Sequence, residues 1–298
     1  MNLRLGTVQF GMDYGINGQK KPSRDEALHM LDYAVHNGIH NIDTAFAYGS
    51  AEDVVGEFLG RKTISRNELN ISSKLAPNIL DDVLPENYEK KILKLIKLQL
   101  KRLHTDYLDV YLYHSAHYVY NNALLNALQT VKKEGLATMV GISVYEPEEA
   151  TAGLNSPYVD FIQLPYSIFD QRMLKNGVFN NKNINDTIID ARSAFIQGLI
   201  VMDEQLLPPF LYKAKPVVKK INDVCKYYNI NRIALALSFV KQQKAINSIV
   251  FGVDNMEQLK EDILYFQKGI PVDIVHNIAM EFEDIDTDIV MPSLWHRN

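Results

Sequence analysis

An acid, a phenol, an ammonium and an imidazole stand in the N-terminal half of this chain, each just after a short apolar run. Asp43 and Tyr48 belong to Ile42-Asp43-Thr44-Ala45-Phe46-Ala47-Tyr48-Gly49, Lys74 closes Ser72-Ser73-Lys74, and His114 closes Tyr111-Leu112-Tyr113-His114. Together they hold the parts needed to deliver a proton to an oxygen. A free tyrosine, with a pKa of about 10, is a poor acid at neutral pH. A neighbouring ammonium favours the phenolate and lowers that pKa, and proton transfer works best when the donor's pKa approaches the working pH. Lys74 beside Tyr48 would do this, Asp43 would hold Lys74 in place and charged, and a neutral His114 would orient a carbonyl oxygen. The chemistry predicted is protonation of an oxygen as hydride reaches the carbon. Each residue alone has an ordinary explanation: a turn cap for Asp43, packing for Tyr48, a surface charge for Lys74, a hydrogen-bonded rim histidine for His114. Their gathering at successive strand ends is what those explanations leave out.

The elements that must position them read as alternating short apolar runs and amphipathic helical stretches, the pattern of βαβ units on a parallel sheet. Eight strands are predicted, at Arg4–Gln9, His40–Asp43, Leu69–Ser73, Tyr107–Leu112, Met139–Ser143, Phe161–Leu164, Thr187–Asp190 and Asn247–Phe251. Between them fall helical stretches: one opened by a Ser23–Glu26 capping box, then Tyr88–Leu103, Asn121–Glu134, a short one from Pro147, Pro216–Tyr228, Arg232–Gln243 and Met256–Phe266. Tyr88–Leu103 sets Ile92, Ile96, Leu100 and Leu103 on one stripe and its lysines on the other, a solvated face. An open doubly wound sheet is the rival to a closed α/β barrel. It would announce a Gly-rich phosphate loop after its first strand, and Gly11-Met12-Asp13-Tyr14-Gly15 lacks that spacing. A parallel eight-stranded (β/α)8 TIM barrel, a single domain over residues 1–298, is the expectation. In such barrels the chemistry sits at the C-terminal ends of the strands.

Composition fits. The chain has 298 residues, 47% apolar and 22% charged, with a net charge of −5. No basic surplus points to nucleic acid, and no apolar run reaches the roughly 18 residues a membrane helix needs. The single cysteine, Cys225, cannot form an internal disulfide and is expected as a small buried hydrophobe. Met1–Gly11 has no signal-peptide pattern. A soluble, cytoplasmic protein is expected, a monomer or homodimer acting on a small molecule.

The segments Asn41–Glu57, Ile71–Lys74 and Leu100–His114 resemble the aldo-keto reductase superfamily. Similar order continues through Gly141-Ile142-Ser143, Gln163-Leu164-Pro165-Tyr166 and Gln197-Gly198-Leu199 to Gly252–Asp262, so the likeness covers nearly the whole chain. The resemblance implies NAD(P)H-dependent reduction of a carbonyl to an alcohol. Tyr48 is then the general acid, Lys74 and Asp43 its pKa-lowering pair, and His114 the substrate-orienting residue. Ser143 and Gln163 hold the nicotinamide carboxamide, and Arg192, with Ser193 beside it, lies against the nicotinamide ring. The stretch bearing Gly252, Asp254, Gln258, Glu261 and Asp262 matches the grip on the adenosine 2′-phosphate. The cofactor is NADP(H) or NAD(H), bound without a Rossmann domain, and no metal takes part. Three departures stand out. Val144 follows Ser143 where members commonly have Asn. The N-terminal hairpin that plugs the barrel bottom is expected to be absent. The 2′-phosphate segment offers Gly252, Asp254 and Gln258 where NADP-selective members offer Lys, Ser or Arg, which tilts the expectation towards NAD(H).

Other readings weigh less. His114-Ser115-Ala116-His117 has metal-ligand spacing but no cysteine or clear carboxylate ligand nearby. A Schiff base on Lys74 leaves Tyr48 and Asp43 unexplained. A regulatory nucleotide-binding protein with little turnover is the alternative function. The substrate wall is expected from His117, Tyr118, Tyr120, Tyr166, Phe169, Arg172, Met291, Trp295 and His296, an aromatic and polar mixture suited to a sugar. A likeness of Leu5–Gly11 and Ala191–Leu199 to a bacterial subgroup linked to sugar and polysaccharide metabolism points to a keto-sugar or nucleotide-linked sugar.

Overall fold

In the computed structural model, which describes residues 1–16 and 18–295, eight parallel strands close into a barrel in chain order. They are Asn2–Gly6 (β1), Asn41–Asp43 (β2), Asn70–Lys74 (β3), Leu108–Tyr113 (β4), Ala137–Ser143 (β5), Phe161–Pro165 (β6), Ile188–Arg192 (β7) and Ser248–Gly252 (β8). Strands covered by side chains inside and by helices outside must be largely apolar on both faces, and that is how these eight were legible. β1 is itself a barrel strand, paired with β2 and β8. The largest difference from the sequence reading is here: strand is predicted through Gln9, and β1 ends at Gly6. The Thr7 N–H and hydroxyl both donate to the Asp43 carbonyl, at 2.9 and 3.0 Å, and Val8–Gly11 form a single helical turn. That turn seats Gly11 on the loop that carries Tyr48. A Cβ there would lie 1.7 Å from the Tyr48 carbonyl oxygen, so only glycine fits.

Helices cover the barrel. Arg24–His36 opens with the predicted capping box. Tyr88–Arg102 buries Ile92, Ile96 and Leu100 against the wall and leaves Lys90, Lys94, Lys97 and Lys101 exposed. Lys215–Tyr228 buries Cys225, whose thiol burial pushes up to about 11. No helix among the described residues is long and apolar enough to cross a membrane.

The barrel interior is split by polarity. Val110, Leu112, Phe161 and Met139 form an apolar half. Opposite them Arg4 is 2.5 Å from Asp190 and donates to Asn70 Oδ1 at 2.9 Å, with Arg4 3% and Asp190 0% exposed. Two charges taken out of water are tolerated there because each answers the other. Above this layer the parallel register sets Gly6 opposite Asp43 and Asp43 opposite Ser72. Asp43, Lys74, Ser143, Arg192 and Gly252 are each the last residue of a strand, and His114 directly follows β4. One rim therefore carries the predicted site.

Candidate active site

Asp43 and Lys74 form the base of the site, their side chains 2% and 1% exposed and 2.6 Å apart. Asp43 is held from three sides: Lys74 Nζ on Oδ2, and Ser72 Oγ (2.8 Å) with Gln163 Nε2 (3.0 Å) on Oδ1. Burial alone would raise this carboxyl. The ammonium and the two neutral donors outweigh it and hold Asp43 below the usual carboxylate range. Burial pulls Lys74 below a free lysine, and Asp43 pulls it back up. At this distance the carboxylate keeps the ammonium charged. Lys74 also donates to the Thr44 carbonyl at 3.1 Å and lies 3.5 Å from the Tyr48 hydroxyl. Its three donors all have partners inside the wall, which leaves no open nucleophile for a Schiff base.

Tyr48 and His114 face the cavity above this base, their rings edge to face with centroids 5.8 Å apart. Burial drives His114 down to about 3, with Lys74 and Arg192 adding to the shift. The imidazole is neutral at working pH, as predicted, and its Nδ1 is buried with no protein partner. Tyr48 departs from expectation. Its phenol is raised, not lowered: burial acts first, the Asp43 charge adds to it, and Arg192 opposes both. The physical reason is burial, since a phenolate taken out of water is costly, and Lys74, already paired with Asp43, does not offset it. Tyr48 keeps its proton in the resting site.

These residues open into a cavity of about 770 Å³ whose wall includes Ser143, Gln163, Arg192, Ser193, Gly252, Asp254, Gln258, Glu261 and Asp262. Every predicted catalytic and cofactor-contact residue except the buried Lys74 lines it. Several are engaged in ways the sequence did not reveal. Arg192 donates to the Val144 carbonyl at 2.8 Å and lies over the Tyr145 ring, 4.3 Å from its centroid. Tyr145 also lines the cavity; its signal was only an aromatic two residues beyond Ser143. Gln258 accepts from the Asp254 N–H at 2.8 Å and donates to Asp254 Oδ2 at 3.2 Å, so the two close on each other. Asp262 is 5% exposed, and burial with the adjacent Glu261 raises its carboxyl well above the usual range. Gln9, expected as strand, lies on Gly252, where a Cβ would meet its Oε1 at 2.4 Å, and that oxygen is buried with no protein partner. After β7, Ser193, Ile196 and Gln197 all take left-handed backbone (φ 64, 47 and 55°), which is uncommon for side-chain-bearing residues and concentrates at ligand sites. The partnerless Gln9 oxygen, the Gly252 backbone beneath it and this tight loop all fit an extended dinucleotide.

None of the described residues of the expected substrate wall lines this cavity. Tyr118 donates to no ligand site: its oxygen accepts from Leu80 N–H at 3.0 Å, and its ring packs on Tyr113. Tyr166 stacks between Phe179 and Phe239, and Phe169 packs on Phe282. Arg172 is taken up by Asp170, Glu146 and Met291 Sδ. Trp295 is buried, donating to the Ile289 carbonyl at 3.2 Å. Tyr120 is exposed, His117 pairs with Asp81 at 3.1 Å, and none of these lines the cavity. His296 lies outside the described residues. Tyr166, Phe169 and Arg172 follow β6, not the fourth, seventh or eighth strand expected to carry the wall, Arg172 opens a short helix, and His117, Tyr118 and Tyr120 lie in a 3-10 turn; apolar rings turned towards the core because burial outweighs an exposed position at the mouth. Among the described residues no group of His, Cys, Asp or Glu could hold a metal.

Comparison with known proteins agrees with this geometry. The model of the aldo/keto reductase family matches residues 2–278. "Protein tas" of Escherichia coli is 25% identical, over 98% of this chain and 95% of its own length. The NADH-specific methylglyoxal reductase of the same organism is 24% identical, over 87% of each. Among solved structures, the holo form of the aldo-keto reductase AKR11C1 from Bacillus halodurans superposes with a TM-score of 0.76, over 97% of this chain and 95% of that one, at 19% identity. A parallel eight-stranded barrel with its charged and phenolic residues on one rim, matched over nearly its whole length, makes this chain a member of the aldo/keto reductase family and an NAD(P)-dependent oxidoreductase.

Proposed function

We propose that this single-domain enzyme reduces an aldehyde or ketone to an alcohol, with Tyr48 as the proton donor. The observation that carries the reading is the convergence of Tyr48, Lys74, Asp43 and His114 at one cavity floor. When bound, a nicotinamide cofactor supplies the hydride. The chain's own residues supply the rest. Neutral His114 hydrogen-bonds and orients the carbonyl oxygen. The raised phenol holds its proton until charge builds on that oxygen. Lys74 then stabilises the phenolate left behind, because its ammonium is fixed 3.5 Å away and no reorganisation is needed. Asp43 keeps Lys74 charged. Ser143 and Gln163 are read as contacts of the carboxamide, and Arg192 with Ser193 as contacts of the ring and its neighbour. Gln163 already donates to Asp43, so it ties the cofactor floor to the proton-donating pair.

The cofactor preference we infer is for NADH, or weak discrimination. Arg192 is the single Lys or Arg among the described residues of the cavity wall, while Asp254, Glu261 and Asp262 all lie along it. A dianionic 2′-phosphate beside this acidic stretch finds no cation but Arg192 to answer it among the described wall residues, and burial raises Asp254 and Asp262 already without a further anion; a free 2′-hydroxyl can donate to these oxygens or to Gln9. A polyhydroxylated carbonyl, such as a keto-sugar or nucleotide-linked sugar, is the substrate class proposed, and the cytoplasm the proposed location. The test is NADH and NADPH oxidation against a panel of aldehydes, ketones and keto-sugars. Tyr48→Phe is expected to lower turnover by about 10²- to 10⁴-fold with cofactor affinity retained. Full activity in that variant overturns the donor assignment, and a hundredfold preference for NADPH overturns the cofactor reading.

A further inference from the structure

Tyr48 and Lys74 reach each other from separate parts of the chain. Tyr48 sits in the loop before the helix Ala51–Gly60, and Lys74 ends β3. Their 3.5 Å separation is therefore a tertiary distance that something must set. Behind the barrel wall, away from the cavity, lies a cluster of polar groups that the chemistry above does not use. Glu52, in the first turn of Ala51–Gly60, is 1% exposed; Ser73, Gln99 and Tyr111 are each 0%. Glu52 Oε1 accepts from Ser73 Oγ at 2.8 Å and from Gln99 Nε2 at 2.6 Å. Gln99 Nε2 also donates to the Lys74 backbone carbonyl at 3.1 Å, the oxygen that receives the Phe46 N–H on its other side at 3.1 Å. The Tyr111 hydroxyl donates to Gln99 Oε1 at 2.7 Å and so fixes which way that amide faces.

We propose that Glu52 and Gln99 are positioning residues, a brace outside the barrel that sets the Tyr48–Lys74 spacing. The brace has one end on the helix that follows Tyr48 and the other on the two residues that close β3. A merely structural cluster between a helix and a sheet would be cheaper if apolar, since a buried carboxylate is weak support for packing. What a hydrophobic contact cannot do is fix direction and distance. Hydrogen bonds do both, and here they end on the Lys74 carbonyl itself. The partner of the second Glu52 oxygen, Arg102 at 3.5 Å, is 41% exposed and holds it loosely, so the tight bonds are those that lead to β3.

This inference rests on Tyr48 being the proton donor, and the experiment separates the two. Glu52→Ala, Glu52→Gln, Gln99→Leu and Tyr111→Phe are assayed with NADH and methylglyoxal, alongside Tyr48→Phe. Glu52→Ala and Gln99→Leu are expected to lose about a hundredfold in kcat, the scale of a misplacement near 1 Å, with KM and the NADH Kd from fluorescence titration changed by less than about threefold. Glu52→Gln recovers most of the loss, because its amide oxygen still accepts from Ser73 and Gln99. Tyr111→Phe frees the Gln99 amide and falls between, and it serves if Glu52→Ala does not fold. Crystals of Gln99→Leu and Tyr111→Phe are expected to show the Lys74 ammonium and Tyr48 hydroxyl drawn apart. Overturning results are a kcat that falls only with the folded fraction, a Glu52→Gln as damaged as Glu52→Ala, or an unchanged Tyr48–Lys74 distance. A dead Tyr48→Phe with unimpaired brace variants overturns this inference alone; an active Tyr48→Phe overturns the donor assignment.

Discussion

Two buried carboxylates on the same cavity carry opposite pH signatures. Asp43 is held below its unfolded pKa of about 3.9 by Lys74 and two neutral donors. Its contribution to stability is fully present above about pH 4 and is lost as pH falls through its lower folded value. Asp43→Asn strands the Lys74 ammonium, and about 3–5 kcal/mol should be lost at pH 7. Urea unfolding from pH 3 to 7 checks this: the gap between wild type and variant narrows below about pH 4. Asp262 runs the other way. Burial and Glu261 raise it, and no ion pair answers it among the described residues. The folded state then binds more protons than the unfolded one, so stability falls as pH rises above about 4. Asp262→Asn is expected to raise Tm at pH 7, with the gain shrinking towards pH 4; an unchanged Tm at neutral pH contradicts it. Tolerating such a group at a cavity wall is a known trade of stability for function.

Individual elements differ in how far the sequence disclosed them. The eight strands were legible because parallel barrel strands are short apolar runs, and four catalytic candidates were legible because each closes or follows such a run. The brace was not: Glu52, Gln99 and Tyr111 belong to two helix faces and a strand whose meeting is fixed only by the closed topology. The substrate wall misled for a related reason. Sequence places Tyr166 and Phe169 after β6, but only packing decides which way their rings turn. Gln9 was misread with its element, as strand instead of the turn that lays it on Gly252. The Arg4–Asp190 pair shows the same limit, since its partners are 186 residues apart. Between β1 and β7 it fills barrel volume with charge, and its removal should follow the rule for buried pairs. Arg4→Met or Asp190→Leu alone is expected to cost about 3–5 kcal/mol, and the double variant much less. A double-mutant cycle by chemical denaturation measures it; strictly additive losses would contradict the coupling.

At the scale of the molecule, closure of β1 on β8 removes both sheet edges, and the helices of the described residues bury side chains in one shared apolar cluster. Thermal unfolding is therefore expected as one cooperative transition. A cofactor spanning the rim binds only the closed barrel, so NADH at 100 times its Kd should add about 2.7 kcal/mol of stability. At equal concentrations NADH should raise Tm more than NADPH; the reverse order contradicts the acidic-rim reading of Asp254, Glu261 and Asp262.

The contact between Gln9 and Gly252 also constrains how this protein could change. On the proposed cofactor reading a basic side chain at position 252 would face the 2′-phosphate, and the Gln9 carboxamide occupies the space its Cβ would need. Gly252→Lys introduced first is expected to push the flexible Gln9 carboxamide aside, keeping the fold but displacing Gln9 from the cavity wall. Gln9→Ala introduced first empties the space at little loss, after which the lysine fits. The two positions are thus coupled: what a lysine at 252 gains depends on what stands at residue 9, and NADPH affinities of Gly252→Lys, Gln9→Ala and the double variant measure that coupling.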